Sequence, residues 1–412
     1  MYLASGGAVT TNETSLQKGS DSGREQAFRA GPVVLAIGVA ISAVLPVFLT
    51  GALAVQIKKD LNFTPSLLGA AVAIFFLFAA LSSFISGRWS HRVNGALAIK
   101  MCMIASSAVL VGVGTIARNY GIFVILLAIS GVVNGTLQPH INLFITHAIP
   151  RRRQGFAFGV KQAAVPLATF LAGLAVPTLA LTAGWRYAYL AAAPLGVFFF
   201  FLVPKSILPA DAGGVRMSFD RPSAAPIVML AIGMGLGTGA ANSFGAFVVS
   251  FAVHAGWKPG LAGLLIVFGS VVGVVTRVGH GLWADKRRGK HFLVAAWSVA
   301  IGAGGYLMFA IGYGWLIIPA TVISYGAGWG WNGLFIFGVV RNFTKHAGYA
   351  TGTVQAGAYI GSVLGPLAFG FAVEQAGYRL AWGLAALSGF LAAFAVGIAR
   401  RLVLSDQPGA VG

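Results

Sequence analysis

The chain reads as an all-α integral membrane protein, with twelve transmembrane helices arranged as two pseudo-symmetric six-helix bundles. Composition is the first sign: of 412 residues, 57% are hydrophobic and only 9% charged, with a mean hydropathy of +0.83. Soluble domains carry about a quarter charged residues. The second sign is a succession of apolar stretches of about 20 residues, each able to cross hydrocarbon. Open sheets cannot satisfy their edges in lipid, so these stretches must be helices. The third is a near-repeat. Gly155-Phe156-Ala157-Phe158-Gly159-Val160-Lys161-Gln162-Ala163 returns as Gly348-Tyr349-Ala350-Thr351-Gly352-Thr353-Val354-Gln355-Ala356. Each copy runs to a closing tripeptide at the same distance, Gly184-Trp185-Arg186 and Gly377-Tyr378-Arg379. A membrane sequence written twice predicts two halves with a site between them.

In chain order, residues 1–31 are polar, rich in Gly, Ser and Thr, and lack a signal-peptide pattern; they read as a disordered cytoplasmic tail. The N-terminal bundle, 32–204, holds spans near 33–56, 66–86, 95–117, 121–147, 155–178 and 185–204. Residues 205–225, with Pro209, Gly213, Gly214 and Pro222, read as a cytoplasmic linker. The C-terminal bundle, 226–402, holds spans near 226–250, 260–283, 291–313, 315–340, 348–372 and 379–400, before a short tail at 403–412.

The net charge of +19 is dispersed in short clusters between the apolar runs. That pattern argues against a nucleic-acid stripe and fits the positive-inside rule. With the N-terminus inside, Arg88, Arg92, Arg151, Arg152, Arg153, Lys286, Arg287, Arg288, Lys290, Arg341, Arg400 and Arg401 fall on the cytoplasmic side. Lys58, Lys59, Arg118, Arg186, Lys258 and Arg379 stay outside. Both termini are therefore expected in the cytoplasm, with the chain in a bacterial inner membrane. The single cysteine, Cys102, excludes an internal disulfide and a cysteine-rich metal site.

Two connections repeat a signature. Gly281-Leu282-Trp283-Ala284-Asp285-Lys286-Arg287-Arg288-Gly289-Lys290 stands between spans eight and nine. Gly87-Arg88-Trp89-Ser90-His91-Arg92-Val93-Asn94-Gly95 stands between spans two and three. On these motifs the chain resembles the major facilitator superfamily from its first span to its last. The resemblance implies a loop whose charge pairs stabilise the outward-open state. It assigns gating roles to Gly87, Arg88, His91, Arg92, Gly95, Gly281, Asp285, Lys286 and Gly289. His91 stands where the family places an Asp. Within the family the chain looks most like cyanate-permease-type carriers, through Lys161-Gln162 with the Gly-Trp-Arg ending, Gly328 through Phe335, and Gly361 through Gly370. Such carriers move small anions or small polar molecules.

None of the nine acidic residues falls in the middle of a span. That argues against cation import and against carboxylate-based drug export. Two cations do fall inside, Lys161 in span five and Arg277 in span eight. A charge in lipid is costly and usually faces the bundle interior; Arg grips a carboxylate with a fork and Lys acts as a point charge. Arg277 resembles the arginine of monocarboxylate and oxalate–formate carriers. Snorkelling to the surface is the competing account for both.

Span four adds Asn134, Gln138 and Asn142 at helical spacing, around Pro139. His140 lies off that stripe, as a proton carrier or an interhelical hydrogen bond. Gln162 and Gln355 occupy matched places in the repeat. Asn242, Asn332 and Trp331, with Trp329, complete the candidate substrate contacts; packing is the alternative for the tryptophans. Gly357, Gly361 and Gly365 with Pro366 and Gly370 form a close-packing face suited to rocking. No nucleotide loop, metal-ligand cluster or catalytic triad appears, so no cofactor, no metal and no enzyme activity are expected.

The expectation is a monomeric secondary transporter for a small anion or compact polar solute, coupled to a proton, to a counter-anion or to neither. The alternatives are a proton-driven drug efflux antiporter, or a membrane receptor that uses the fold without transport.

Overall fold

A computed structural model describes residues 30–89, 93–149, 157, 159–204, 224–286 and 289–406. The expected N-terminal tail up to 29, the linker from 205 to 223, His91, Arg92 and residues 407–412 lie outside the described residues, as do the side chains of Asp285 and Lys286.

Span one is α1 (Ala30–Ala52) continued, after a break at Leu53, by α2 (Ala54–Leu61). Asn62 stops it in the left-handed region, at φ 49°. The next spans are α3 (Pro65–Trp89), α4 (Gly95–Thr115) and α5 (Tyr120–Ala148). Asn94 and Asn119 cap α4 and α5 through their side-chain oxygens, which accept from the Ala96 and Ile122 amides. Span five contains α6 (Ala164–Ala175) and a π turn at Val176–Ala180; span six is α7 (Trp185–Leu202).

The second half begins with α8 (Ala224–His254), α9 (Pro259–Lys286) and α10 (His291–Ile311). Span ten is broken into α11 (Ile317–Ile323), a π turn at Ser324–Gly328 and α12 (Asn332–Asn342). Spans eleven and twelve run as α13 (Ala347–Asp406), divided at Gly377. Ten described helices are long and apolar enough to cross a membrane. Dividing α13 and adding the broken span ten brings the count to twelve.

The repeated tripeptides do the same backbone work in each half. Gly184 at φ 110° and Gly377 at φ 82° turn the chain into spans six and twelve, conformations that a side chain would strain.

Packing differs between the two ends of the bundle. Away from the chain termini, one continuous apolar core joins both halves, from Phe48, Phe75 and Trp185 to Phe244, Phe309 and Trp382. Toward the termini there are two cores. One is confined to the first half, around Val39, Met103, Leu137 and Phe199; the other to the second, around Leu230, Phe292, Trp331 and Phe335.

Glycines mark the same contrast. A Cβ on Gly51 would lie 2.7 Å from the Gly245 carbonyl oxygen, and one on Gly173 would lie 2.7 Å from that of Gly263. Gly69 and Gly370 likewise admit the backbones of Pro366 and Pro65 from the opposite half. At the terminus end, a Cβ on Gly159, Gly279, Gly333 or Gly352 would meet no described atom within 4 Å. Because lipid supplies no hydrophobic force between helices, these close backbone approaches are what seal the far end.

Ser66 strengthens that seal. Its backbone amide, in the first turn of α3, donates to Glu374 of the opposite half at 3.1 Å. Hydrogen bonds from the Ser66 and Thr64 side chains, with the Ser66 amide, hold the Glu374 carboxyl below its ordinary range. Within the first half, Asp60 accepts from the Trp185 indole at 2.9 Å and pairs with Arg186 at 2.6 Å, and both lower its pKa.

Candidate functional site

The candidate residues gather where the single core divides. Ala164 belongs to the first half's own core and Ala168 to the shared one. Trp329 belongs to the shared core, and Trp331, two residues on, to the second half's own.

Lys161 enters span five just on the terminus side of this division. Only 8% of it is exposed. Its ammonium does not snorkel but donates to Gln138 Oε1 and Asn142 Oδ1, each at 2.7 Å. Gln138 donates in turn to Asn134 Oδ1 at 3.3 Å. Spacing of four residues puts these three amides on one side of α5, so a single helix presents a ladder of acceptors to one cation. All of these groups belong to the first half.

Arg277, 6% exposed, is held differently. One guanidinium nitrogen donates to the Gln162 carbonyl, on the residue following Lys161; the other donates to the Trp329 carbonyl at 2.9 Å. Arg277 thus reaches out of its own half and touches the other at the peptide beside the second cation. Its Nε is buried without a partner among the described residues. Span ten can offer the Trp329 carbonyl because its ladder is interrupted by the π turn; such turns are frequent at functional sites.

Neither buried cation meets a carboxylate among the described residues. The described carboxylate side chains are those of Asp60 and Glu374, both at the sealed end. Just above the cations, toward the sealed end, Thr169 and Ser270 share a hydrogen bond of 2.7 Å between the halves. The Phe48 ring meets Trp329 edge-on at 5.6 Å.

The remaining candidates sort by position. Trp331 has its ring fully buried against Phe335 in the second half's core, and its indole donates to the Gly328 carbonyl. The neighbour that faces the division is Trp329. Asn242 donates to Ser362 at 2.8 Å, a bond between spans seven and eleven of one half. His140 bonds the Thr136 carbonyl at 2.8 Å and lies 3.5 Å from Ser86 of span two, leaving Nε2 buried and unpartnered among the described residues. Asn332 is half-buried, with Oδ1 unpartnered among the described residues. Gln162 enters through its main chain. Gln355 is exposed on α13. Thr169, Ser270 and Tyr325, which packs its ring over Gly269, were not singled out by sequence reasoning; single hydroxyls within apolar runs carry no periodic signal.

The family model described as Major Facilitator Superfamily matches residues 35–344. A curated protein of Pseudomonas aeruginosa, named transcription regulatory protein OpdE, is 27% identical over 409 residues, covering 93% of this chain and 95% of its own. Among solved structures, a bacterial homolog of the human lysosomal transporter Spinster, inward-facing and occupied, superposes with a TM-score of 0.72 at 15% identity, over 91% of this chain and 97% of that one. The nucleoside transporter NupG superposes with a TM-score of 0.66 at 14% identity, over 89% and 99%.

Proposed function

The chain belongs to the major facilitator superfamily, as a multi-pass secondary transporter and not an enzyme, and on that premise we propose that its cargo is a small anion or a compact polar solute with a carboxylate- or cyanate-like head. The observation that carries this reading is that Arg277 bonds the carbonyl of Gln162, the residue after Lys161, with both cations buried and neither facing a described carboxylate. Two buried cations without a counterion are costly, and an arriving anion supplies the missing charge. Lys161 offers a point charge and Arg277 a fork, so one carboxylate can be held by both. Gln138, Asn142 and Asn134 orient the lysine. Gln162, Gln355, Asn242 and Asn332 are secondary polar contacts, and His140 is the candidate for a coupling proton.

Taken with both termini in the cytoplasm, the divided cores support an inward-open shape, with Glu374 and the glycine contacts on the outside. The bundles at 32–204 and 226–402 then rock about the division.

The test is the thermal stability of the purified protein against formate, oxalate, acetate and cyanate, with small cations and hydrophobic drugs alongside. A ligand that binds only the folded state raises the midpoint. Stabilisation by one anion class, lost in Arg277→Ala, supports the proposal. Stabilisation only by drugs or cations overturns it in favour of an exporter. Anion binding without flux in proteoliposomes favours a sensor, the reading to which the name of the Pseudomonas relative lends weight.

A further inference from the structure

The sealed end carries a feature that the central site does not use. Between the halves lies a cavity of about 440 Å³, within the range of small-molecule sites. Its walls include Lys58 and Lys59 of α2, Phe63, and, from the other half, Phe247, His254 and Tyr378. Leu68, Val253 and Val373 make the remainder largely apolar.

The two lysines are otherwise unexplained. They lie on the side where positive charge is sparse. Both are exposed, and neither forms an ion pair with a described carboxylate. The neighbouring cations and acids are already engaged: Arg186 is taken by Asp60, and Glu374, although within reach of the Lys58 charge, spends its oxygen on the Ser66 amide. Two exposed ammonium groups at the edge of an apolar recess, only one of them within reach of the Glu374 charge, complement a molecule with an anionic head and an aromatic or branched body. Tyr378, tilted 42° to the His254 ring at 5.0 Å, gives such a body a ring to lie against.

We propose that this cavity is a second binding site, for a small anion with an apolar body, distinct from the Lys161–Arg277 site. Its walls come from both halves. It is whole only while this end is closed, so its ligand stabilises the closed end by binding one state in preference to the other.

The experiment uses the full-length protein in lipid nanodiscs with the photoreactive probe 4-benzoylbenzoate and its neutral amide. The carboxylate is expected to label peptides of the 54–68, 247–254 or 373–378 segments and to raise the melting midpoint more than the amide does. Labelling there is expected to fall at least fivefold in K58Q/K59Q, whose changes lie on an exposed surface, and to persist in R277A. Labelling confined to spans four, five and eight overturns the proposal, as does equal labelling by the amide or no loss in K58Q/K59Q. Because the R277A arm reads the central site separately, either site can fail without the other.

Discussion

The two ends of this bundle are built from the same residue types and packed in opposite ways. At the sealed end, Gly51, Gly69, Gly173 and Gly370 let backbones of the two halves touch, and one core runs through both. At the terminus end, each half keeps a core of its own, and a Cβ on Gly159, Gly279, Gly333 or Gly352 would meet no described atom within 4 Å. The seam at one end is therefore closed by shape, with little chemistry. The cations stand where the closed seam stops, and there the difference between them becomes informative. Lys161 is satisfied wholly within its half, so rocking leaves its bonds intact. Arg277 bonds across the division, so rocking must break its hold on Gln162.

The largest effect that would break this comparison is at Arg277. Arg277→Ala is expected to lower anion affinity by about 30-fold to several thousand-fold, the range for losing one partner of a buried charge contact of about 2–5 kcal/mol. Arg277→Lys is expected to recover little, since a point charge cannot hold two carbonyls and an anion in one plane. Uptake kinetics in proteoliposomes check both. Lys161→Met comes next. It strands the acceptors of Gln138 and Asn142, about 1–3 kcal/mol, and weakens anion binding roughly tenfold to a hundredfold without disturbing contact between the halves. Binding and melting measured on one sample separate the two effects.

Glycine substitutions sharpen the contrast of the ends. Gly69→Ala drives a methyl group into the Pro366 backbone and is expected to cost about 1–3 kcal/mol or to part the seam. Gly352→Ala, at the open end, is expected to be close to neutral. Equal melting points for the two variants would contradict the packing account.

The smallest effect is that of pH on the seal. The carboxyl of Glu374 titrates below its ordinary value, because its charged form is hydrogen-bonded across the seam. Its contribution is complete above the ordinary carboxylate range and is lost as pH falls through the lowered value. The seam should loosen only at strongly acid pH, and Glu374→Gln should remove part of that dependence, as read by thiol labelling of a cysteine placed at the seam.

The twofold plan was legible because the repeat carries backbone requirements. Gly184 and Gly377 are written identically and turn identically. The amide ladder beneath Lys161 was legible too, since Asn134, Gln138 and Asn142 sit one helical turn apart. Arg277 was legible as a buried charge but not in its partners, because carbonyls of Gln162 and Trp329 leave no trace in side-chain identity. In span ten, Trp329 and Trp331 stand two residues apart and so on opposite sides of the helix; that spacing separates them without saying which joins the shared core and which the second half's own.

The central claim is that Lys161 and Arg277 share one anion at the division. A double-mutant cycle of Lys161→Met and Arg277→Ala, measured as affinity for the most stabilising anion of the panel, tests it most directly. The account predicts strong coupling, with the double variant no weaker than the worse single variant by more than about twofold. Additive losses, each cation acting without regard to the other, would contradict it.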